Sequence, residues 1–141
     1  MKRKLLTLLL PLVIVLVSSA QTMQRKAKIN FDGLYHTYSD SLNPFRYYLR
    51  FYMNGTVIGY TTAGNPQRLI QWFSKEHQSP SKGKYVVKDS TISFSLKSEE
   101  GVVVYEGSIL PDTRLWLSVK SMINKYMGKE EYFFWKVDGL K

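Results

Sequence analysis

The run Arg46 to Thr62, RYYLRFYMNGTVIGYTT, constrains this chain more than any other stretch. Aromatic, β-branched and basic residues alternate on both sides of Asn54-Gly55. That pair accepts positive φ at both centres of a two-residue type I′ turn better than almost any other. Such a turn sets Met53 opposite Thr56, Phe51 opposite Ile58 and Leu49 opposite Tyr60. On this register Tyr47, Leu49, Phe51, Ile58 and Tyr60 share one face, while Arg46, Tyr48, Arg50, Tyr52, Val57 and Gly59 share the other. Both arginines fall on the second face, so the first is expected to be the core face.

Period-two patterns recur along the chain. Phe31 to Tyr38 reads as a strand ahead of the hairpin. After it come Lys84 to Lys88, Thr91 to Lys97, Gly101 to Leu110, Arg114 to Lys120 and Glu131 to Val137. Thr91 to Lys97 alternates Ile92, Phe94 and Leu96 with serines, the signature of a half-buried strand. One segment breaks the period: Pro66 suits the first turn of a helix, and Leu69, Trp72 and Phe73 recur at helical spacing over Gln67 to Glu76. The expected fold is therefore all-β, an eight-stranded up-and-down antiparallel barrel. A short helix between the third and fourth strands would cap one mouth. Closure removes the exposed edges that eight consecutive strands would otherwise leave.

The first twenty residues stand apart. Lys2, Arg3 and Lys4 precede an apolar stretch from Leu5 to Val17, and Ser18-Ser19-Ala20 supplies small residues for a signal peptidase. This reads as a secretory signal peptide (residues 1–20) cut before Gln21. The stretch falls short of the roughly 20 apolar residues that span a bilayer, so no stable membrane anchor is expected after cleavage. Residues 21–30 are polar and read as a flexible N-terminal arm, leaving 31–141 as the barrel domain. The expected location is secreted or periplasmic. With no Cys in the chain, an oxidising compartment offers no disulfide staple, and the fold rests on its own core.

The chain carries a net charge of +9. Three of its twenty Lys and Arg belong to the leader, leaving 17 against 11 Asp and Glu, or +6. The cations are scattered apart from Arg25, Lys26 and Lys28, and export argues against a nucleic-acid partner.

Gly33-Leu34-Tyr35 resembles the Gly-X-Trp element of lipocalins, with Tyr in place of Trp. Tyr48 to Val57, YLRFYMNGTV, resembles the hairpin of the lipocalin-like barrel domain found in certain F-box-only proteins. Gly83-Lys84-Tyr85 and Glu131 to Val137 fall in the order that domain requires. The chain lacks an F-box and the Thr-Asp-Tyr element of lipocalins, and a leader peptide is incompatible with a ubiquitin-ligase role. The resemblance thus implies a calycin-type barrel, also like small exported bacterial lipocalin-like proteins, and a small apolar ligand; fold alone does not dictate function.

Catalytic chemistry has little support. His36 and His77 lack companions at metal-ligand spacing, and no Gly-X-Ser-X-Gly elbow occurs. Glu99-Glu100 and Glu130-Glu131 are adjacent residues, which point to opposite faces of a strand and make no carboxylate dyad. The expectation is a non-enzyme with neither cofactor nor metal. Asn54-Gly55-Thr56 also matches an N-glycosylation sequon, though turn geometry already accounts for all three residues.

Aromatic residues make up 14 % of the chain, enough to dominate a small barrel's interior. On the hairpin register, Tyr35, Tyr47, Tyr60, Tyr85 and Tyr105 point inward, together with Phe51, Phe94, Phe133 and Trp135. Buried phenols need hydrogen-bond partners. Tyr35, Tyr47, Tyr60, Tyr105 and Trp135 are accordingly the expected lining of a cavity for a small, partly apolar ligand, with the helix gating the mouth. The alternative is a filled barrel that docks a protein partner on its outer Arg46, Tyr48, Arg50, Tyr52 face.

Overall fold

The computed structural model describes residues 27–73 and 81–140. Eight strands run in sequence order: β1 (Gly33–Thr37), β2 (Arg46–Phe51), β3 (Thr56–Thr62), β4 (Ser81–Lys88), β5 (Thr91–Ser98), β6 (Gly101–Ile109), β7 (Leu115–Ser121) and β8 (Met127–Lys136). Each pairs antiparallel with the next, and β8 pairs with β1 to close the barrel. The expected eight-stranded up-and-down barrel is what the chain forms, with one helix between β3 and β4. The expected signal peptide (residues 1–20), residues 21–26 of the expected arm, and the helix expectation beyond Phe73 lie outside the described residues.

The strands form where one face alternates. β5 buries Ile92, Phe94 and Leu96 and exposes Thr91, Ser93, Ser95 and Lys97. β7 buries Leu115, Leu117 and Val119 against exposed Trp116, Ser118 and Lys120. Each such period-two strand puts one row of side chains into the barrel.

The hairpin register differs from the expectation by one residue. Phe51 pairs with Val57, Leu49 with Gly59 and Tyr48 with Tyr60. The loop holds three residues, Met53-Asn54-Gly55, closed by bonds from Tyr52 N–H to Thr56 O (2.9 Å) and from Gly55 N–H to Tyr52 O (3.0 Å). Gly55 takes φ +82°, while Asn54 stays at negative φ. This is the three-residue hairpin with glycine in the left-handed position, not the two-residue I′ turn. A one-residue slip turns a whole strand over. β2 still points Leu49 and Phe51 inward, but β3 points Val57 and Gly59 inward and Ile58 and Tyr60 outward. Gly55→Ala forces an L side chain into the left-handed region and should cost about 1–2 kcal/mol in urea unfolding. Gly55→Asn should cost less.

Rings fill the barrel. Phe51 is the hub, edge-on to Tyr35 (5.5 Å), Tyr85 (5.1 Å) and Phe94 (5.5 Å). Phe94 stacks on Tyr105 at 4.6 Å, and Tyr35 meets Phe134 at 5.1 Å. Around them pack Leu49, Val57, Ile92, Leu96, Ile109, Leu115, Leu117, Val119 and Tyr132. At the end where β1 begins, Ile29 of the N-terminal arm is buried in the same core.

A second apolar layer lies outside the barrel wall. The helix is a 3₁₀ segment, Pro66–Phe73, with Asn65 Oδ1 accepting the Gln67 N–H at 2.9 Å as its N-cap. Three residues per turn align Ile70 with Phe73. Leu69, Ile70 and Phe73 cover Leu34, Tyr48, Tyr52, Ile58, Tyr60, Trp135 and Val137. The helix therefore covers the outside of β1–β3; the expected cap on a barrel mouth is not formed. Arg50 extends from the outer face of β2 to the helix end, where Nη1 donates to Phe73 O at 2.6 Å, and Tyr52 Oη donates to the same carbonyl. The terminal carbonyls of a helix lack intrahelical donors, and a cation there is favourable.

Candidate functional site

Five residues were expected to line an interior cavity, and the structure separates them. Tyr35 and Tyr105 lie in the ring stack. Tyr60 stacks on Trp72 of the 3₁₀ helix at 6.3 Å, outside the barrel, and Trp135 packs in the same outer layer. Their inward orientation is corrected by the β3 register and by the parity of β8, whose inward residues are Tyr132 and Phe134; Phe133 faces His36 on the outside at 6.2 Å. Tyr47 follows the inward row of β2 but sits at its open end, 44 % exposed.

The inward phenols find partners within the protein. Asn30 N–H donates to Tyr35 Oη at 2.9 Å, and Tyr85 Oη donates to Tyr52 O at 2.7 Å. Tyr132 donates its single hydroxyl proton to Glu130 Oε2 at 2.9 Å. Tyr105 lies in the same core cluster as Tyr132, so the Tyr132–Glu130 bond ties the ring stack to a carboxylate at the barrel end.

Burial pushes the Tyr35 hydroxyl up to about 12. Burial also raises Tyr105 and Tyr132, with the Glu130 carboxylate adding to both. A phenol raised above its unfolded value of about 10 favours the folded state while neutral. That contribution is complete below about pH 10 and is lost as pH rises through about 12. For Tyr35 the difference is on the order of 3 kcal/mol. Phenolate absorbance should show these tyrosines ionising only together with unfolding, and Tyr35→Phe should move the alkaline midpoint upward.

The pocket at the barrel end arises from unequal strand lengths. β1 pairs with Tyr132–Lys136 of β8 and stops at Thr37, so Met127–Glu131 runs on past it. Beside this stretch the β1–β2 loop is braced by Asp40, whose Oδ1 accepts the N–H groups of Leu42 (2.8 Å) and Asn43 (2.7 Å). Thr37 Oγ1 accepts the Tyr47 N–H at 3.0 Å. Between loop and strand opens a pocket of about 370 Å³, lined by Thr37, Tyr38, Asn43, Tyr47, Phe133 and the two glutamates 130 and 131. Glu130 follows the inward row beside Tyr132, whereas Glu131 pairs with Arg114. A second pocket of about 300 Å³ lies on the other side of the loop against Ser39, Arg46 and Thr62.

Of these lining residues only Tyr47 belonged to the expected set. Glu130 was legible in one respect: its spacing to Tyr132 places a carboxylate beside a phenol on one strand face. Nothing in the periodicity shows that β1 ends five residues short of β8.

The outer Arg/Tyr face expected to dock a partner is covered. Tyr48, Arg50 and Tyr52 are 1 %, 5 % and 4 % exposed beneath the 3₁₀ helix, and Arg46 Nε donates to Ser39 Oγ at 2.6 Å. His36 lies on the outer wall near Tyr48, its Nδ1 3.0 Å from Thr37 O. Asn54 Oδ1 accepts the Thr56 N–H at 3.0 Å within the turn. Comparison with protein-family models, with curated proteins and with solved structures finds no match for this chain in any of the three.

Proposed function

We propose that this chain is an exported, lipocalin-like binding protein that seats a small, partly apolar ligand in the pocket at the barrel end. The observation that carries this reading is the pocket itself. It is an open groove of about 370 Å³ at the barrel rim, at the low end of small-molecule site volumes, and it combines aromatic walls with a few placed polar groups. Its loop is held in shape by Asp40 and Thr37, so little ordering is needed on binding. The packed rings leave the barrel's middle to the fold and move the seat to the rim. The resemblance of YLRFYMNGTV to lipocalin-like hairpins supports the same class of function, and the leader supports export.

Native mass spectrometry of the purified protein tests the reading. The expected spectrum shows a small-molecule adduct that disappears in Asn43→Trp, which fills the pocket. A bare mass, or an adduct that persists in the variant, contradicts it. N-terminal sequencing of the exported protein should begin at Gln21; retention of residues 1–20 would contradict cleavage.

A further inference from the structure

We propose that the pocket at the barrel end selects an organic ammonium ion, with Glu130 as its counter-charge and Tyr38, Tyr47 and Phe133 as walls. The inference rests on the binding reading above and names the ligand class for that site. No Lys or Arg lines the pocket, in a chain whose net charge is +9. Among the described residues, the ion pairs join Arg114 to Asp112 and Glu131, and Lys136 to Asp32. The charge of Glu131 is thus answered by Arg114, whereas Glu130 meets a hydroxyl: Tyr132 donates to its Oε2 at 2.9 Å.

That bond holds the carboxylate without neutralising it. A carboxylate offers about four acceptor positions, so one phenol leaves ample capacity for a charged N–H donor. An ammonium group would supply charge-assisted hydrogen bonds. The same cation is attracted to the faces of aromatic rings, and three rings stand around this seat. An anion would meet Glu130 with like charge. A neutral molecule would desolvate the carboxylate and return nothing for its charge.

The test is isothermal titration of the full mature chain with three probes of one shape: 2-phenylethylammonium, 2-phenylethanol and 3-phenylpropanoate. The ammonium should bind at least about tenfold more tightly than the alcohol, with the carboxylate weakest; one charge-assisted bond of 1.4 kcal/mol gives that factor. Glu130→Gln should erase the preference, and Glu106→Gln, on the exposed face of β6 outside the pocket, should leave it. Equal binding of ammonium and alcohol, or preference for the carboxylate, overturns the ammonium assignment and leaves the pocket reading intact. A preference that survives in Glu130→Gln overturns the role of Glu130. Failure of all three probes overturns the inference, while the native-mass adduct and its loss in Asn43→Trp decide the pocket reading independently. Probe selectivity in the unmodified protein requires no variant to fold.

Discussion

Phe51→Ala is expected to lose about 3–5 kcal/mol of folding free energy, the usual cost of truncating a fully buried aromatic side chain. Phe51 is 0 % exposed and is the ring on which Tyr35, Tyr85 and Phe94 all converge edge-on. Deleting it removes its own transfer free energy and opens a cavity that those three rings cannot close together, because they come from β1, β4 and β5. The hydroxyls of Tyr35 and Tyr85 are already committed to Asn30 and to Tyr52 O, which restricts their movement further. A domain of this size has about 5–15 kcal/mol in total, so the variant should sit close to its unfolding threshold at room temperature. Urea unfolding checks this, and a loss under about 1.5 kcal/mol would mean that the interior is looser than the ring geometry implies.

Arg50→Ala should cost about 2–4 kcal/mol and should act locally before it acts globally. Its guanidinium donates to the last carbonyl of the 3₁₀ helix at 2.6 Å and lies 4.5 Å over the Tyr52 ring. A buried hydrogen bond from a charged group is worth roughly 1.5–3 kcal/mol, and the cation–ring contact adds about 0.5–2. Burial lowers the pKa of the Arg50 guanidinium, and Tyr52 partly offsets the effect. The local signature is hydrogen exchange: amides of Gln67 to Phe73 should exchange faster in the variant while those of β5 and β6 keep their protection. Arg50→Lys should rescue little, because an ammonium lacks the planar fork. Unchanged exchange in the helix would show that Arg50 does not hold it.

The two variants also mark what the amino-acid pattern could and could not convey. β5 and β7 were legible because one face of each is wet, so polar and apolar residues alternate strictly. β3 and β8 were not. Val57-Ile58, both buried, and Phe133-Phe134-Trp135, all half-buried, are contiguous apolar runs, and a strand apolar on both faces carries no parity. Asn54-Gly55 fits a two-residue I′ turn as well as a three-residue loop with Gly55 left-handed. That ambiguity of one residue was enough to reverse Ile58 and Tyr60. Arg46 and Arg50 correctly marked the outer face of β2. That face lies under a helix whose end carbonyl needs the guanidinium, so a buried arginine looked like a solvated one. Proline and period placed the helix in the chain, yet its seat against β1–β3 depends on tertiary packing.

The site was the least legible part. Inward aromatic residues suggest a chamber because five inward phenols need hydrogen-bond partners that the sequence does not name. The partners exist: a backbone amide for Tyr35, a backbone carbonyl for Tyr85 and the Glu130 carboxylate for Tyr132. Once these are satisfied the rings can close on one another, and space for a ligand remains where β1 falls short of β8.

The account's central claim is that the barrel is packed shut and binds at its rim. The most direct measurement is a backbone amide NMR titration with 2-phenylethylammonium. The account predicts saturable shifts at Thr37, Tyr38, Tyr47 and Glu130, with Phe51, Ile92 and Phe94 unmoved. Shifts centred on Phe51, Ile92 and Phe94, with the rim unaffected, would contradict it.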